Sequence, residues 1–390
     1  MSGLFHAGRR PVHPPPGSAD RLSARRHHLP HAHGGDPGAA FVLWPALFPD
    51  ADGAERSPEH RYAGGLAGSR TRSGREERVN ILLAESSGFS PRALELLRPL
   101  GAVRQEDLSG AALRAAAGDC DVLWVRLRTF IGPEVMDAAP RLKWIASPTT
   151  GLNHIDLAAA EKRGIRVLSL RGEVDFLKEI RATAELTIGL MLALLRHIPA
   201  AAQGVRDGVW DRDRYQGREL FGQDVGLVGF GRLGRLVAGY LLAFGSRVRV
   251  YDPAATEPEL PGVERVALED LLAFSQLVSL HAAYEPANER FFNAACFRRM
   301  PRGAWFVNTA RGELVDEAAL LKALESGHLA GAAVDVLAAE PSLVLDAHPL
   351  VRFARTSDRL ILTPHIGGCT QESMERAEYF LARRMKEALA

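Results

Sequence analysis

The chain has 390 residues, 46% of them hydrophobic, which is enough for two domains that each bury a core. Its 48 basic and 47 acidic residues almost cancel, so composition does not favour nucleic acid or an anionic membrane as the main partner. No apolar run reaches the roughly 18 residues of a membrane span, and we expect a soluble protein. The three cysteines form no CxxC motif, which argues against a disulfide framework and a metal site and suits a reducing cytoplasm.

Residues 1–77 differ in composition from the rest of the chain. They are rich in proline and glycine, contain seven of the 13 histidines and lack apolar periodicity, so we expect a disordered tail. An alternative is that translation starts downstream. The histidines at 27, 28, 31 and 33 have no carboxylate or thiol framework beside them, which makes a metal site there a weak hypothesis.

From Val79, short apolar segments alternate with helical ones, a pattern that predicts βα units on a parallel sheet. The predicted strands of this first series are Val79–Ala84, Asp121–Val125, Leu142–Ser147 and Ile165–Leu168. The predicted helices are Pro91–Pro99, Gly110–Ala117, Gly132–Ala139 and Asp156–Arg163.

A long apolar helix, Ala182–His197, leads to a second series that begins at Asp224. Its predicted strands are Val225–Gly229, Arg247–Tyr251, Leu277–Leu280, Ala304–Asn308, Ala332–Val336 and Leu360–Thr363. The segment Gln371–Leu389 has the pattern of an amphipathic helix. The expected architecture is therefore α/β, with two parallel sheets joined by the long helix.

A glycine-rich turn follows the first strand of the second series. Gly229, Gly231 and Gly234 have the spacing of a dinucleotide-binding loop, and a helix, Arg232–Phe244, comes directly after it. Such a triplet by itself also fits a tight turn. Asp252, at the end of the next strand, stands where a ribose hydroxyl is held and where a carboxylate repels a 2′-phosphate, so we expect NAD rather than NADP.

Three polar residues follow strands of the second series: Arg311, Glu340 and His365. Residues just past the carboxyl ends of parallel strands line a common crevice, so these side chains are expected to meet. Arginine suits a substrate carboxylate, and histidine paired with a carboxylate suits acid/base chemistry on a 2-oxo acid. Singly, Arg311 also fits a turn cap, Glu340 a solvated loop and His365 a structural hydrogen bonder.

The chain resembles the D-isomer-specific 2-hydroxyacid dehydrogenase family, which includes D-3-phosphoglycerate dehydrogenase. The resemblance covers about Val79 to Ala390. It rests on seven stretches: Val125–Thr129, Gly151–Asp156, Ala182–Leu186, Gly217–Leu220, Val307–Gly312, Gly327–Val336 and Thr363–Gly368.

The resemblance implies a Rossmann NAD-binding domain and a flavodoxin-like substrate domain. The expected division is a tail at 1–77, the first part of the substrate domain at 78–175, the NAD-binding domain at 176–363 and a return to the substrate domain at 364–390. It also implies a homodimer through the region of the long helix.

The resemblance assigns catalysis to Arg311, Glu340 and His365. It places the cofactor near the glycine loop and beside residues elsewhere in the chain: Thr183, Gly229, Gly231, Arg232, Leu233, Gly234, Asp252, Thr309, Ala310, Asp335 and Gly368. It places the substrate near Arg126, Leu127, Thr150 and Gly151. Phosphoglycerate dehydrogenases tend to have Ser at the position of Leu127. The arginines at 126 and 128 indicate a polar or anionic group on the substrate.

The sequence leaves three hypotheses for the function open. The first is an NAD-dependent enzyme that oxidises a D-2-hydroxy acid or reduces its 2-oxo partner. The second is a redox-sensing co-regulator that uses the same fold and NAD site to bind a protein partner. Oxidation of formate or phosphite on the same scaffold is a third possibility. The set Arg311, Glu340 and His365 favours the first, because a sensor has no evident need for it.

Overall fold

A computed structural model of the chain describes residues 78–254, 260–338, 340 and 343–390. The expected tail and its histidine cluster lie outside the described residues. Within the described part, no single helix is long and apolar enough to cross a membrane, although the bent pair Val174–Leu195 and Ile198–Arg206 reaches that length and composition together.

The first sheet contains five parallel strands, and its order is that of flavodoxin-like folds. The strands are β1 Val79–Leu83, β2 Gly101–Gln105, β3 Val122–Trp124, β4 Trp144–Ser147 and β5 Arg166–Ser169. The helices are α1 Pro91–Leu97, α2 Gly110–Ala117, α3 Pro133–Asp137, α4 Leu157–Lys162 and α5 Val174–Leu177. The order in the sheet is β2-β1-β3-β4-β5, with β2 at one edge.

The second sheet contains seven parallel strands. They are β6 Asp224–Val228, β7 Arg247–Tyr251, β8 Val263–Arg265, β9 Leu277–Leu280, β10 Ala304–Asn308, β11 Leu329–Val334 and β12 Leu360–Leu362, in the order β12-β11-β10-β9-β6-β7-β8. The helices are α6 Ala182–Leu195, α7 Ile198–Arg206, α8 Arg232–Ala243, α9 Leu268–Phe274, α10 Ala294–Arg299, α11 Glu317–Glu325, α12 Pro349–Ala354 and α13 Gln371–Leu389. Six of these strands reproduce the dinucleotide-binding order, with the chain reversing direction across the sheet between β6 and β9.

Both sheets are covered on their two faces, which explains why their strands are nearly continuous apolar runs. In β1, Leu82 packs into the core on one face, while Ile81 and Leu83 pack into the core on the other. The predicted parallel α/β architecture is therefore confirmed.

Helix α13 packs against α1, β4 and β5 of the first sheet, although it follows the last strand of the second sheet. Thr370 caps its start by accepting a hydrogen bond from the backbone N–H of Ser373. Leu381 and Met385 are fully buried in the core of the first sheet. This docking brings α13 to the cleft between the two sheets, and the exact domain boundaries given above stay a prediction.

The differences from the predicted elements have local causes. β2 and β8 were not predicted, because both carry polar residues, such as Arg104 in β2 and Glu264 in β8, and neither contains a fully buried residue. The predicted strand Ala332–Val336 is wrong in its bounds, since β11 runs from Leu329 to Val334. Asp335 therefore lies just past the carboxyl end of β11 rather than within it.

Candidate active site

A cleft of about 1730 Å³ runs along the carboxyl ends of the strands of both sheets. All of the predicted site residues except Gly234 line it. They are Arg126, Leu127, Thr150, Gly151, Thr183, Gly229, Gly231, Arg232, Leu233, Asp252, Thr309, Ala310, Arg311, Asp335, Glu340, His365 and Gly368. The convergence expected from strand ends is thus present in the described part of the chain.

The glycine loop has room for a ligand on one side and none on the other. Gly229 has φ +100°, and a Cβ there would lie 2.5 Å from the backbone N of Ala282. A Cβ on Gly234 would lie 2.3 Å from the carbonyl oxygen of Gly229, so Gly234 lets α8 pack behind the loop. A Cβ on Gly231 would meet open space. Helix α8 begins there without a side-chain cap, which leaves its first amides for an anion.

Asp252 is held against this loop at the end of β7. Its Oδ2 accepts a hydrogen bond from the backbone N–H of Phe230 at 2.7 Å, and its Oδ1 accepts from Ala254 at 2.9 Å. The Arg232 side chain is held by the segment before α6, because its Nη1 donates to the carbonyls of Leu177 at 3.0 Å and Ile180 at 2.5 Å.

His365 and Glu340 form a direct pair. His365 Nδ1 lies 2.5 Å from Glu340 Oε2, and both side chains are partly exposed in the cleft. His365 adopts the left-handed φ of +53°, uncommon for a residue other than glycine, and its N–H donates to the carbonyl of Asp335 at 2.8 Å. Because Nδ1 is occupied, Nε2 is the nitrogen available to a ligand.

Arg311 lies in the turn that follows β10. Asn308 stabilises this turn, since its amide donates to the carbonyl of Arg311 at 2.9 Å and accepts from the N–H of Ala310 at 3.0 Å. Burial lowers the pKa of the Arg311 guanidinium, although Glu313 and Glu340 act in the opposite direction. A poorly solvated guanidinium in a cleft is well suited to bind a carboxylate.

The loop after β4 meets Arg311 from the other sheet. A Cβ on Gly151 would lie only 1.7 Å from Arg311 Nη2, so the guanidinium rests directly on the Gly151 backbone. The Thr149 hydroxyl donates to the carbonyl of Gly151 at 2.9 Å and lies 3.0 Å from the hydroxyl of Ser147. Gly151 and Arg311 are 160 positions apart in the chain and thus come into contact in the cleft.

His154 supports this loop from inside the core and was not singled out from the sequence. Its Nε2 lies 3.0 Å from the Ser147 hydroxyl, while Nδ1 has no hydrogen-bond partner in the described structure. Burial, together with the nearby charges of Arg311 and His365, lowers the pKa of His154 to about 4. A neutral histidine inside the stretch Gly151–Asp156 has no sequence signal that separates it from a surface residue.

Asp335 organises the segment that leads from β12 to His365. It accepts hydrogen bonds from Thr363 Oγ1 at 2.5 Å and from the N–H groups of Ile366 and Gly367 at 2.9 and 2.8 Å. Burial raises the pKa of the Asp335 carboxyl. Thr183, at the start of α6, approaches Gly367 closely.

Thr309 and Gly368 also line the cleft. The Thr309 hydroxyl is buried and lies 2.8 Å from that of Thr187 in α6, which ties the turn after β10 to the long helix.

Arg126 does not reach into the cleft as a free cation. Its Nε donates to Glu378 Oε1 at 2.9 Å, a second guanidinium nitrogen contacts the same oxygen, and Nη1 donates to the carbonyl of Ser87 at 2.8 Å. Glu378 is 1% exposed and was missed from the sequence, although its position among Ala377, Leu381 and Met385 on the apolar face of α13 signals a buried partner.

The fold and the cleft define a dinucleotide-binding α/β protein with an ionisable cluster beside the cofactor loop. Residues 188–367 match the family model described as D-isomer specific 2-hydroxyacid dehydrogenase, NAD binding domain. The chain belongs to the D-isomer specific 2-hydroxyacid dehydrogenase family.

Relatives agree with this assignment. A hydroxypyruvate reductase of Thermotoga maritima is 36% identical over 287 residues, covering 74% of this chain and 90% of the relative. A D-3-phosphoglycerate dehydrogenase of Mycobacterium bovis is 38% identical over 280 residues, covering 71% of this chain and 51% of the relative. The chain thus spans about half the length of that dehydrogenase.

A solved structure is also similar to the chain. It is the D-lactate dehydrogenase of Aquifex aeolicus complexed with NAD and lactic acid, with 28% identity and a TM-score of 0.69. The match covers 79% of this chain and 95% of that one.

Proposed function

We propose that the protein is an NAD-dependent oxidoreductase that reduces a small 2-oxo acid to the D-2-hydroxy acid, or catalyses the reverse oxidation. The observation that supports it most is the meeting of Arg311, Glu340 and His365 in one cleft with the glycine loop. Family membership and the activities of the relatives point the same way.

The residues present fit a dinucleotide. Open space at Gly231 and the uncapped start of α8 suit the pyrophosphate, and the Asp252 carboxylate suits ribose hydroxyls and opposes a 2′-phosphate. When bound, the nicotinamide ring supplies or accepts the hydride.

Each cluster residue has a distinct role in this proposal. Arg311 and the backbone amides of Thr150 and Gly151 bind the substrate carboxylate, which places the 2-oxo carbon between the two sheets. His365 gives the proton on Nε2 to the carbonyl oxygen as the hydride reaches carbon, and takes it back in the oxidation. Glu340 holds the ring through Nδ1, which leaves Nε2 for the substrate oxygen.

The test is the variant His365→Ala. We expect NADH-dependent turnover of 2-oxo acids to fall by about 10²–10⁴-fold, because the proton donor is lost. NADH affinity, measured by fluorescence titration, should change little. Unchanged turnover would show that His365 is not the acid.

His348 provides a matched control. It forms a similar pair with Glu317, at 3.2 Å, and does not line the cleft. His348→Ala should retain turnover. If the unmodified protein binds NADH tightly and turns over no 2-oxo acid, the NAD-sensing co-regulator is the better description.

The homodimer and a cytoplasmic location also belong to this proposal. Large apolar side chains directly after α6 are exposed, among them Ile198, Val205 and Trp210, and these favour a partner surface near the long helix. All three cysteines are free thiols, which supports a reducing compartment.

A further inference from the structure

A chain of polar side chains runs from the core of the first sheet to the backbone that supports Arg311. This polar relay consists of His154, Ser147 and Thr149. His154 is 2% exposed and Ser147 is 0% exposed, and neither lines the cleft. The Ser147 hydroxyl lies 3.0 Å from His154 Nε2 and 3.0 Å from the hydroxyl of Thr149. Thr149 in turn donates to the carbonyl of Gly151 at 2.9 Å.

The last acceptor of the polar relay fixes the direction of its hydrogen bonds. A carbonyl oxygen cannot donate, so the single hydroxyl proton of Thr149 points to Gly151. In its contact with Ser147, Thr149 therefore accepts, and the one hydroxyl proton of Ser147 is used. The contact between Ser147 and His154 accordingly has the histidine as its donor, which places a proton on Nε2 of the ring.

The surroundings of His154 agree with a neutral ring in this tautomer. Burial, together with the nearby charges of Arg311 and His365, lowers the pKa of His154 to about 4, so the ring carries one proton at neutral pH. Nδ1 is buried and has no hydrogen-bond partner within the described part of the chain. The other tautomer would leave a buried N–H without an acceptor and would set Nε2 against the Ser147 oxygen as two acceptors.

A second acceptor within reach of Ser147 makes the donor from His154 important. The Ser147 hydroxyl lies 3.4 Å from the carbonyl of Arg126, compared with 3.0 Å from Thr149. A hydroxyl that accepts a hydrogen bond donates its own proton more strongly. Without the N–H of His154, the Ser147 hydroxyl is free to rotate towards Arg126, and Thr149 then loses its donor.

The polar relay ends where the two sheets come into contact. A Cβ on Gly151 would lie 1.7 Å from Arg311 Nη2, so the guanidinium rests on the backbone of Gly151. The Thr149 hydroxyl holds the carbonyl of Gly151, while the carbonyl of Thr149 itself accepts from the N–H of Leu170 at 3.0 Å. A change in the orientation of this backbone therefore changes the support of Arg311.

We propose, resting on the 2-oxo acid activity proposed above, that His154 is a positioning residue that acts through the polar relay to fix the Gly151 backbone for the substrate carboxylate. The neutral imidazole supplies one directed N–H to the relay. It does not touch the substrate and transfers no proton in the reaction.

The first experiment replaces the imidazole of His154 by two amides of different reach. The amide nitrogen of Gln can occupy the place of Nε2, whereas that of Asn, one methylene shorter, lies near the place of Nδ1. With NADH and hydroxypyruvate, or pyruvate if the wild-type protein reduces it faster, we expect His154→Asn to lower kcat/KM by about tenfold. KM should account for most of the loss, because the carboxylate is bound in the ground state and the transition state alike.

The conservative variant separates the relay from simple packing. His154→Gln should keep kcat/KM near that of the wild type, and the affinity for NADH should be the same in both variants. An equal loss of kcat/KM in His154→Gln and His154→Asn would show that only packing matters and would overturn the proposal. Wild-type kcat/KM in a folded His154→Asn protein would overturn it as well.

The second experiment removes the middle of the polar relay. Ser147→Ala should reproduce the loss seen in His154→Asn, and the double variant should lose no more than either single one, because one break already interrupts the relay. Losses that multiply in the double variant would overturn the proposal. Ser246→Ala is the control, since its buried hydroxyl donates to the carbonyl of Leu220 at 2.8 Å and does not line the cleft. If His154→Asn does not fold, an unchanged KM in Ser147→Ala contradicts the proposal.

The third experiment reads the tautomer of His154 without measuring activity. In ¹⁵N-histidine-labelled full-length protein, the imidazole signal that is absent from His154→Gln should report a neutral ring with its proton on Nε2 at neutral pH. A proton on Nδ1, or a charged ring, would overturn the direction of the relay.

The two proposals fail in different ways. If 2-oxo acids are reduced but His154→Asn and Ser147→Ala match the wild type, the positioning proposal fails and the activity stands. If the wild-type protein reduces no acid in a wide panel of 2-oxo acids, whatever the tautomer of His154, the proposed activity is wrong and the positioning proposal fails with it.

Discussion

The contact between Gly151 and Arg311 offers a direct test of how the proposed binding site for the substrate carboxylate is built. In Gly151→Ala the new Cβ would lie 1.7 Å from Arg311 Nη2, 2.7 Å from Cζ and 2.9 Å from Nε. Ordinary contacts exceed 3.4 Å, so the guanidinium must move by more than 1 Å. The side chain is flexible at this end, and we expect its displacement rather than loss of the fold.

A displacement of that size has a large effect on catalysis. Misplacing a substrate-positioning group by about 1 Å costs roughly 100-fold in rate, which corresponds to about 3 kcal/mol of transition-state stabilisation. We therefore expect kcat/KM for 2-oxo acids to fall by about that factor in Gly151→Ala. NADH affinity and the melting temperature should stay close to wild type, because the glycine loop and both cores are untouched.

The assay is NADH oxidation at 340 nm across a range of 2-oxo acid concentrations, with NADH binding and thermal melting measured in parallel. Gly239→Ala is the matched control, since a Cβ at that position in α8 would meet nothing within 4 Å. Wild-type kcat/KM in a folded Gly151→Ala protein would refute the argument that Arg311 must rest on Gly151 to bind the substrate carboxylate.

Two further predictions concern the cofactor and pH. Asp252→Ala should relax the preference for NADH over NADPH. Asp270→Ala, on α9, is the control and should leave the preference unchanged. A wild-type protein that strongly prefers NADPH would disprove the role of Asp252. Because the pKa of His154 is lowered to about 4 in the folded protein, the unfolded chain binds a proton that the folded one does not between about pH 6.5 and 4. The free energy of unfolding, measured by urea denaturation, should therefore fall by about 3 kcal/mol as pH drops through that window. In His154→Asn it should fall by less. Equal losses in both proteins would exclude His154 as the cause.

Local sequence patterns determined the order of elements and the edge of the sheet where chemistry belongs. The predicted strands at 247–251, 277–280 and 304–308 agree with β7, β9 and β10. Parallel strands joined by helices must present their carboxyl ends together, so the residues that follow β10, β11 and β12 meet regardless of their distance in the chain. The glycine loop could also be predicted from the sequence. The φ of +100° at Gly229 and the close packing at Gly234 exclude other residues at these two positions.

The relations between the two sheets depended on tertiary structure. Arg126 and Glu378 are 252 positions apart and meet only because α13 docks on the first sheet. Gly151 supports Arg311 only because the two sheets face each other across the cleft. The sequence supplied the residue types of the glycine loop and of the cluster Arg311, Glu340 and His365. Which arginine is held by a buried carboxylate, and which loops of the two sheets come into contact, follow from the packing of segments that no local pattern connects.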